Sequence, residues 1–395
     1  MRKVLFAWEL GRGLGHLITI RRIAARLKAH GIRMAAVVGD LTSIAVLGGL
    51  CSDVIQAPPW PLASQSAAQR AAQSSATLND ILSSAGLADP SAVRGLLLAW
   101  EEIFNRFEPD LVIAEFAPMA ALAARGRIPL MLVGNGYTLP PDDMRRFPPL
   151  HRVSPPRWNE EATLTAVNRA MESLGKNRLQ YLPQLFSGDA RIVQTFGLLD
   201  PYDTQRLTPA DGPMTDHVPA ARSDNADAIF VYLSGGYDPP PNLVEALCPF
   251  GARVHVHAPR LSTGQTRDLV HAGAQINTEP APLRDLLSSS RLVVHTGGSG
   301  LASEALLAGV PQLIVSRQIE QTLNGGALER AGVSKLIEAY DQSARISSEL
   351  IAALCEDAAL AAKAAELGLW HRRYLSDKNP ERQCELACLT LLGMT

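Results

Sequence analysis

Two stretches of this 395-residue chain carry residues whose types and spacing could do chemistry. The longer is HTGGSGLASEALLAGVPQLIVSRQIEQTLNGGAL, from His295 to Leu328. A short apolar run, LVVH, leads into a Gly/Ser loop, and the pattern predicts a helix opening near Leu301. Glycines let backbone N–H groups approach an anion, and a helix N-terminus adds about half a positive charge. The loop of Gly297, Gly298, Ser299 and Gly300 therefore suits a diphosphate, with Glu304 on the following turn placed to accept from ribose hydroxyls. The next strand, QLIVS, ends just before Glu320 and Gln321, and a carboxylate beside an amide at a strand's C-terminal edge can grip vicinal hydroxyls. A tight turn would use the same glycines; the acid and the acid–amide pair at these intervals favour the chemical reading.

The shorter stretch is GRGLGHL, from Gly11 to Leu17, after the first strand. With Gly11 and Gly13 as the opening glycines, the third glycine of a dinucleotide fingerprint is replaced by His16. Asp40, at the end of the second strand, stands where a ribose-binding acid would, which keeps an NAD site as an alternative. A histidine at a helix start is chemically suited to taking a hydroxyl proton, since its unperturbed pKa is ~6.5. A capping or packing role in the turn is the other reading of His16.

The 295–328 stretch resembles the donor-binding signature of family 1 glycosyltransferases and related sterol and antibiotic glycosyltransferases. The resemblance rests on His295, Gly297 to Gly300, Glu304 to Leu306, Ala308 to Pro311, Gln321 and Asn324, with APLRDLLSSSRLVV just before. It implies the GT-B fold: two Rossmann-like, doubly wound parallel-sheet domains facing a cleft. It also implies a UDP- or dTDP-sugar as co-substrate, with Pro282 and Leu283 near the nucleobase and Ser234 and Gly235 near the diphosphate. The diphosphate-contacting histidine of that family falls on Thr296 here, with His295 one position earlier; Leu301 replaces a Thr, and Glu320 an Asp. In the same resemblance the GRGLGH loop, with Gly13 and Gly15, lies on the acceptor side, His16 falls on the catalytic base, and Glu115 on the acid that orients it. A salt-bridge or helix-cap role is the alternative for Glu115. The expected reaction is metal-independent, inverting transfer of a hexose-type sugar to a hydroxyl of a small molecule or glycan. Hydrolysis or epimerisation of a nucleotide-sugar, or a non-catalytic partner of the same fold, are the alternatives.

The elements that must position these residues alternate as an α/β protein does. KVLFAW, MAAVVGD, DLVIAEF and PLMLVGN read as strands in the first half, and AIFVYLSGG, ARVHVHAP, RLVVHTGG and PQLIVS in the second. The segment 206–227 is rich in Pro, Asp, Ser and Thr and reads as a linker. The expected division is an acceptor domain over 1–205, a donor domain over 228–370, and a 371–395 segment packing back on the first domain. Balanced charge, 37 Lys and Arg against 39 Asp and Glu with no basic stretch, argues against nucleic-acid binding. No apolar run approaches the ~18–20 residues that span a bilayer, and VLFAW is too short for a secretory signal. Five cysteines without a CxxC read as reduced thiols, which points to the cytoplasm. The expected state is a monomer or homodimer. His255 and His257 share one strand face without a third ligand, and no Asp-x-Asp occurs, so no metal site is expected.

Overall fold

The computed structural model describes the chain except residues 12, 62–74, 151–154, 216–219, 234–237, 241, 278–282, 339–344 and 395. Its contacts divide it into two units: Met1–Met214 with Pro380–Thr395, and Thr215–Asn379.

The first unit is built on β1 (Lys3–Trp8), α1 (Leu14–Lys28), β2 (Arg33–Val38) and β3 (Asp53–Gln56), followed by α2 (Pro90–Phe107), β4 (Leu111–Glu115), α3 (Pro118–Ala124), β5 (Leu130–Gly134) and β6 (Ala190–Val193). Its six strands pair in parallel in the order β3-β2-β1-β4-β5-β6. β1, β4 and β5 are apolar and buried almost throughout, as strands covered on both faces by helices must be. Strand order reverses between β1 and β4, so the loops after these two strands open a crevice at the sheet's C-terminal edge.

The second unit repeats the plan. β7 (Ala228–Tyr232), β8 (Val254–His257) and β9 (Gln275–Ile276) precede α4 (Leu283–Ser289), β10 (Ser290–His295) and α5 (Ser299–Ala308). β11 (Gln312–Ser316), α6 (Ile319–Arg330), β12 (Ser334–Glu338) and α7 (Ala358–Lys378) follow. The order β12-β11-β10-β7-β8-β9 puts the reversal between β10 and β7. This is the doubly wound α/β class expected, realised twice.

Unit boundaries differ from the expected ones. Residues 206–214 stay with the first unit: Ala210 and Met214 are buried in its cores, and the Asp211 carboxylate accepts from the Val193 N–H at 2.7 Å. Residues 371–378 stay with the second, because α7 runs on without a break to Lys378. Gly368 lets α7 lie against the end of α5, where an added Cβ would come within 2.8 Å of Gly309. The chain turns at Asn379, in a left-handed conformation (φ 43°), before α8 (Pro380–Leu391). Cys384, Cys388 and Leu389 of α8 are buried in the first unit's core with Ile113 and Met131.

Candidate active site

In the first unit the loop after β1 turns through Gly11 (φ 88°) and Gly13 (φ 103°) into α1, which places His16 in the first turn of that helix. Glu115 is the last residue of β4 and pairs in register with Trp8, the last of β1. Both side chains therefore lie at the point where strand order reverses, and His16 Nδ1 is 2.6 Å from Glu115 Oε2. A carboxylate accepts, so the proton resides on Nδ1 and Nε2 carries the lone pair. The Trp8 ring stacks on the imidazole at 4.9 Å and 19° and restricts its rotation. The side chains of His16 and Glu115 are 14% and 5% exposed, which leaves the dyad shielded yet reachable.

Two neighbours of this dyad have no distinct signal in the sequence. Gly11 matters more than Gly13 or Gly15: a Cβ at Gly11 would lie 2.3 Å from His16 Nε2, whereas Gly13 and Gly15 have open space around them. Glu9 receives the Met119 and Ala120 N–H groups at the start of α3, at 3.0 and 2.9 Å, and the Trp60 indole N–H at 3.3 Å. Burial pushes its carboxyl up to about 7 despite these bonds. The NAD alternative gains nothing here, because Asp40 is engaged in its own turn, accepting from the Thr42 N–H and hydroxyl.

In the second unit the loop after β10 is held from below. His295 is 1% exposed; its Nδ1 accepts the Gly297 N–H at 3.1 Å and its Nε2 lies 2.9 Å from Gln312 Oε1. Burial pushes the imidazole down to about 4, so it is neutral. His295, expected at the donor, instead lies beneath the loop as its support, its ring held between the Gly297 N–H and the Gln312 amide. The Gly297 N–H, expected to meet an anion, is occupied by that ring, and the Gly297 carbonyl accepts from Asn324 Nδ2 at 2.9 Å. Gly297 itself is required: φ is 90°, and a Cβ would meet Ile314 Cγ2 at 2.8 Å and the Gln321 carbonyl oxygen at 2.9 Å.

The N–H groups left for an anion are thus those at the start of α5. That helix begins at Ser299, two residues earlier than the sequence pattern predicts, and no side chain caps it. Gly298 and Gly300 have open space around them. Thr296 is 7% exposed at the foot of the loop. The earlier start moves Glu304 onto the second turn, where it is half-buried. Glu320, in the first turn of α6, accepts from the Ser299 hydroxyl at 2.8 Å, which ties the acid to the loop. Gln321 departs from the expected outward pair: it is 4% exposed and its Oε1 takes the N–H of Arg317, just ahead of α6, at 2.8 Å. Leu283, half-buried, opens α4. Ser234, Gly235 and Pro282 lie outside the described residues. Among the described residues no group of three or more His, Cys, Asp or Glu side chains could hold a metal ion, and no helix is long and apolar enough to cross a membrane.

Comparison with known proteins agrees with this arrangement. Residues 243–381 match the family described as erythromycin biosynthesis protein CIII-like, C-terminal domain. The PGL/p-HBAD biosynthesis rhamnosyltransferase of Mycobacterium bovis (strain BCG / Pasteur 1173P2) is 27% identical over 284 residues, covering 63% of this chain and 60% of the relative. The match thus spans less than two thirds of that relative's length. The calicheamicin glycosyltransferase CalG4 superposes with a TM-score of 0.69 at 17% identity, over 100% of this chain and 98% of its own. The glycosyltransferase VinC, solved in complex with dTDP, gives 0.59 at 14% identity over 98% and 99%. The chain has the GT-B fold of these glycosyltransferases, and its residues 243–381 are similar to the EryCIII-like C-terminal domain.

Proposed function

We propose that the protein is a glycosyltransferase that moves a hexose-type sugar from a UDP- or dTDP-sugar to a hydroxyl of a small-molecule or glycan acceptor. The reading is carried by the His16–Glu115 contact of 2.6 Å, placed where the first sheet reverses. His16 Nε2 takes the acceptor proton, and Glu115 stabilises the imidazolium that forms. The acceptor oxygen attacks the anomeric carbon from the face opposite the diphosphate, the C–O bond to the diphosphate breaks, and configuration inverts. The amides at the start of α5 receive the leaving diphosphate, an electrostatic contribution of several kcal/mol in a water-poor site. No step in this scheme calls on a metal ion. Glu304 accepts from the ribose, and Glu320, steadied by Ser299, faces the sugar.

Support for the donor class comes from VinC, whose structure holds dTDP, and from the rhamnosyltransferase relative, which favours a 6-deoxyhexose among hexose-type sugars. The five free cysteines suit a reducing compartment, which favours the cytoplasm. The test is His16→Ala assayed with UDP-glucose and dTDP-rhamnose over an acceptor panel. Loss of about 10²–10⁴-fold in transfer, with UDP or dTDP affinity retained, is expected; transfer at the parental rate would remove the base assignment.

A further inference from the structure

Two polar groups in the second unit have no task in the chemistry above. Tyr232 ends β7 and His257 ends β8, and the sheet register sets them in one row with His295. Neighbouring strands are ~4.8 Å apart, so His257 lies roughly 10 Å along the edge from the strand that feeds the α5 N-terminus. Tyr232 packs on the same apolar cluster as Leu283 and Leu301, at the starts of α4 and α5. The Tyr232 and His257 rings stack at 5.2 Å and 25°.

Each ring presents a defined polar atom. His257 Nδ1 lies 3.1 Å from the Asn277 carbonyl oxygen, which can only accept, so the proton sits on Nδ1 and Nε2 is a hydrogen-bond acceptor. Tyr232 keeps its hydroxyl proton, because burial raises its pKa above the ordinary phenol value. No described residue hydrogen-bonds His257 Nε2 or Tyr232 Oη, and neither is among the described buried atoms that lack a partner, so both still reach solvent. An acceptor beside a hydroxyl donor is the complement of an imide: uracil and thymine present an N–H between two carbonyl oxygens. Cytosine presents a ring-nitrogen lone pair there, which would meet the Nε2 lone pair head-on.

Resting on the nucleotide-sugar reading, we propose that His257 and Tyr232 read the base of the donor, His257 Nε2 accepting the imide N–H and the Tyr232 hydroxyl donating to a flanking carbonyl. The site then selects uracil or thymine nucleotides over cytosine ones by the tautomer that Asn277 imposes.

Calorimetric titration of the intact protein with UDP, dTDP, CDP and inorganic pyrophosphate tests this. UDP and dTDP are expected to bind about tenfold or more tightly than CDP. Tyr232→Phe removes an atom that no described residue holds; it should weaken UDP about three- to tenfold and leave pyrophosphate unchanged. His257→Phe, which keeps the stack, should bring the UDP and CDP affinities together. Thermal melts establish that each variant is folded, and Tyr232→Phe decides the matter if His257→Phe is not. Unchanged UDP affinity and an unchanged UDP-to-CDP ratio in the folded variants would overturn the base reading alone. A parent protein that binds none of the four compounds would remove the donor assignment itself, and the base reading with it.

Discussion

The two units place opposite kinds of chemistry at corresponding edges of similarly ordered sheets. At its point of reversal the first presents ionisable side chains, His16 on Glu115 with Glu9 nearby. The second presents backbone amides there and keeps the buried His295 neutral beneath them. A proton acceptor has to change charge during turnover, which needs a carboxylate partner and partial exposure. An anion cradle must not change, and fixed dipoles on a rigid loop serve it better than a side chain that titrates. One doubly wound plan thus accommodates either task, and the loops after its central strands decide which.

The sharpest way to break the contrast is to take the charge out of the first edge. Glu115→Gln keeps an acceptor for Nδ1–H but removes the negative charge that stabilises the imidazolium. Turnover should fall by about 10²–10⁴-fold with UDP affinity unchanged, read by initial rates beside calorimetry. Equal loss of both would mean that Glu115 supports the fold and not the proton transfer.

Acidity should separate the units next. Between pH 6.5 and about 4 the unfolded chain binds a proton that folded His295 refuses, so stability falls as pH falls through that window. Glu9 runs the other way: between its unfolded value of 4.5 and about 7 the folded unit holds a proton the unfolded chain has released, so stability falls as pH rises. Each shift is worth about 3 kcal/mol at its limit. Hydrogen-exchange protection of β10 relative to β1 should therefore drop on going from pH 7 to pH 5; a parallel response of both strands would contradict the assignment.

Gly11→Ala asks whether the first edge depends on shape as well as charge. The new methyl, 2.3 Å from His16 Nε2, must displace the imidazole, and a misplacement of about 1 Å costs about 10²-fold in rate. Crystallography of the variant should show the ring moved away from Glu115. The mildest change is Ser299→Ala, which removes the hydroxyl that donates to Glu320. About two- to tenfold weaker binding of the intact nucleotide-sugar, with UDP itself unaffected, is the expected result.

Much of this architecture was legible in the sequence, for reasons particular residues make plain. Glu115 closes a short apolar run and His16 follows another by one glycine loop, and in a parallel sheet such positions converge on one edge, so their placement could be read without the fold. Gly297 could be read too, because the chain must turn sharply between LVVH and the next helix. His295 differs: whether a residue at a strand's end points into solvent or under its own loop depends on what it can bond there, and this ring is held by the Gly297 N–H and Gln312. Gln321 is turned inward to the Arg317 N–H, a bond that no pattern of residue types reveals. The special need at Gly11 comes from a ring five positions on that folds back over the turn, which the spacing of residue types does not reveal. The break at Asn379 was hidden by helical periodicity that continues into α8, whose buried Cys388 lies beside Met131 of the first unit.

That return of α8 has a consequence for how the molecule is made. The whole second unit intervenes between Met214 and Pro380. On the ribosome, the first sheet emerges early but waits for its last covering helix, while the second unit has its full sequence available sooner. Until α8 arrives, the flank of β5 around Met131 stays uncovered, and this nascent surface is where a chaperone would find its hold.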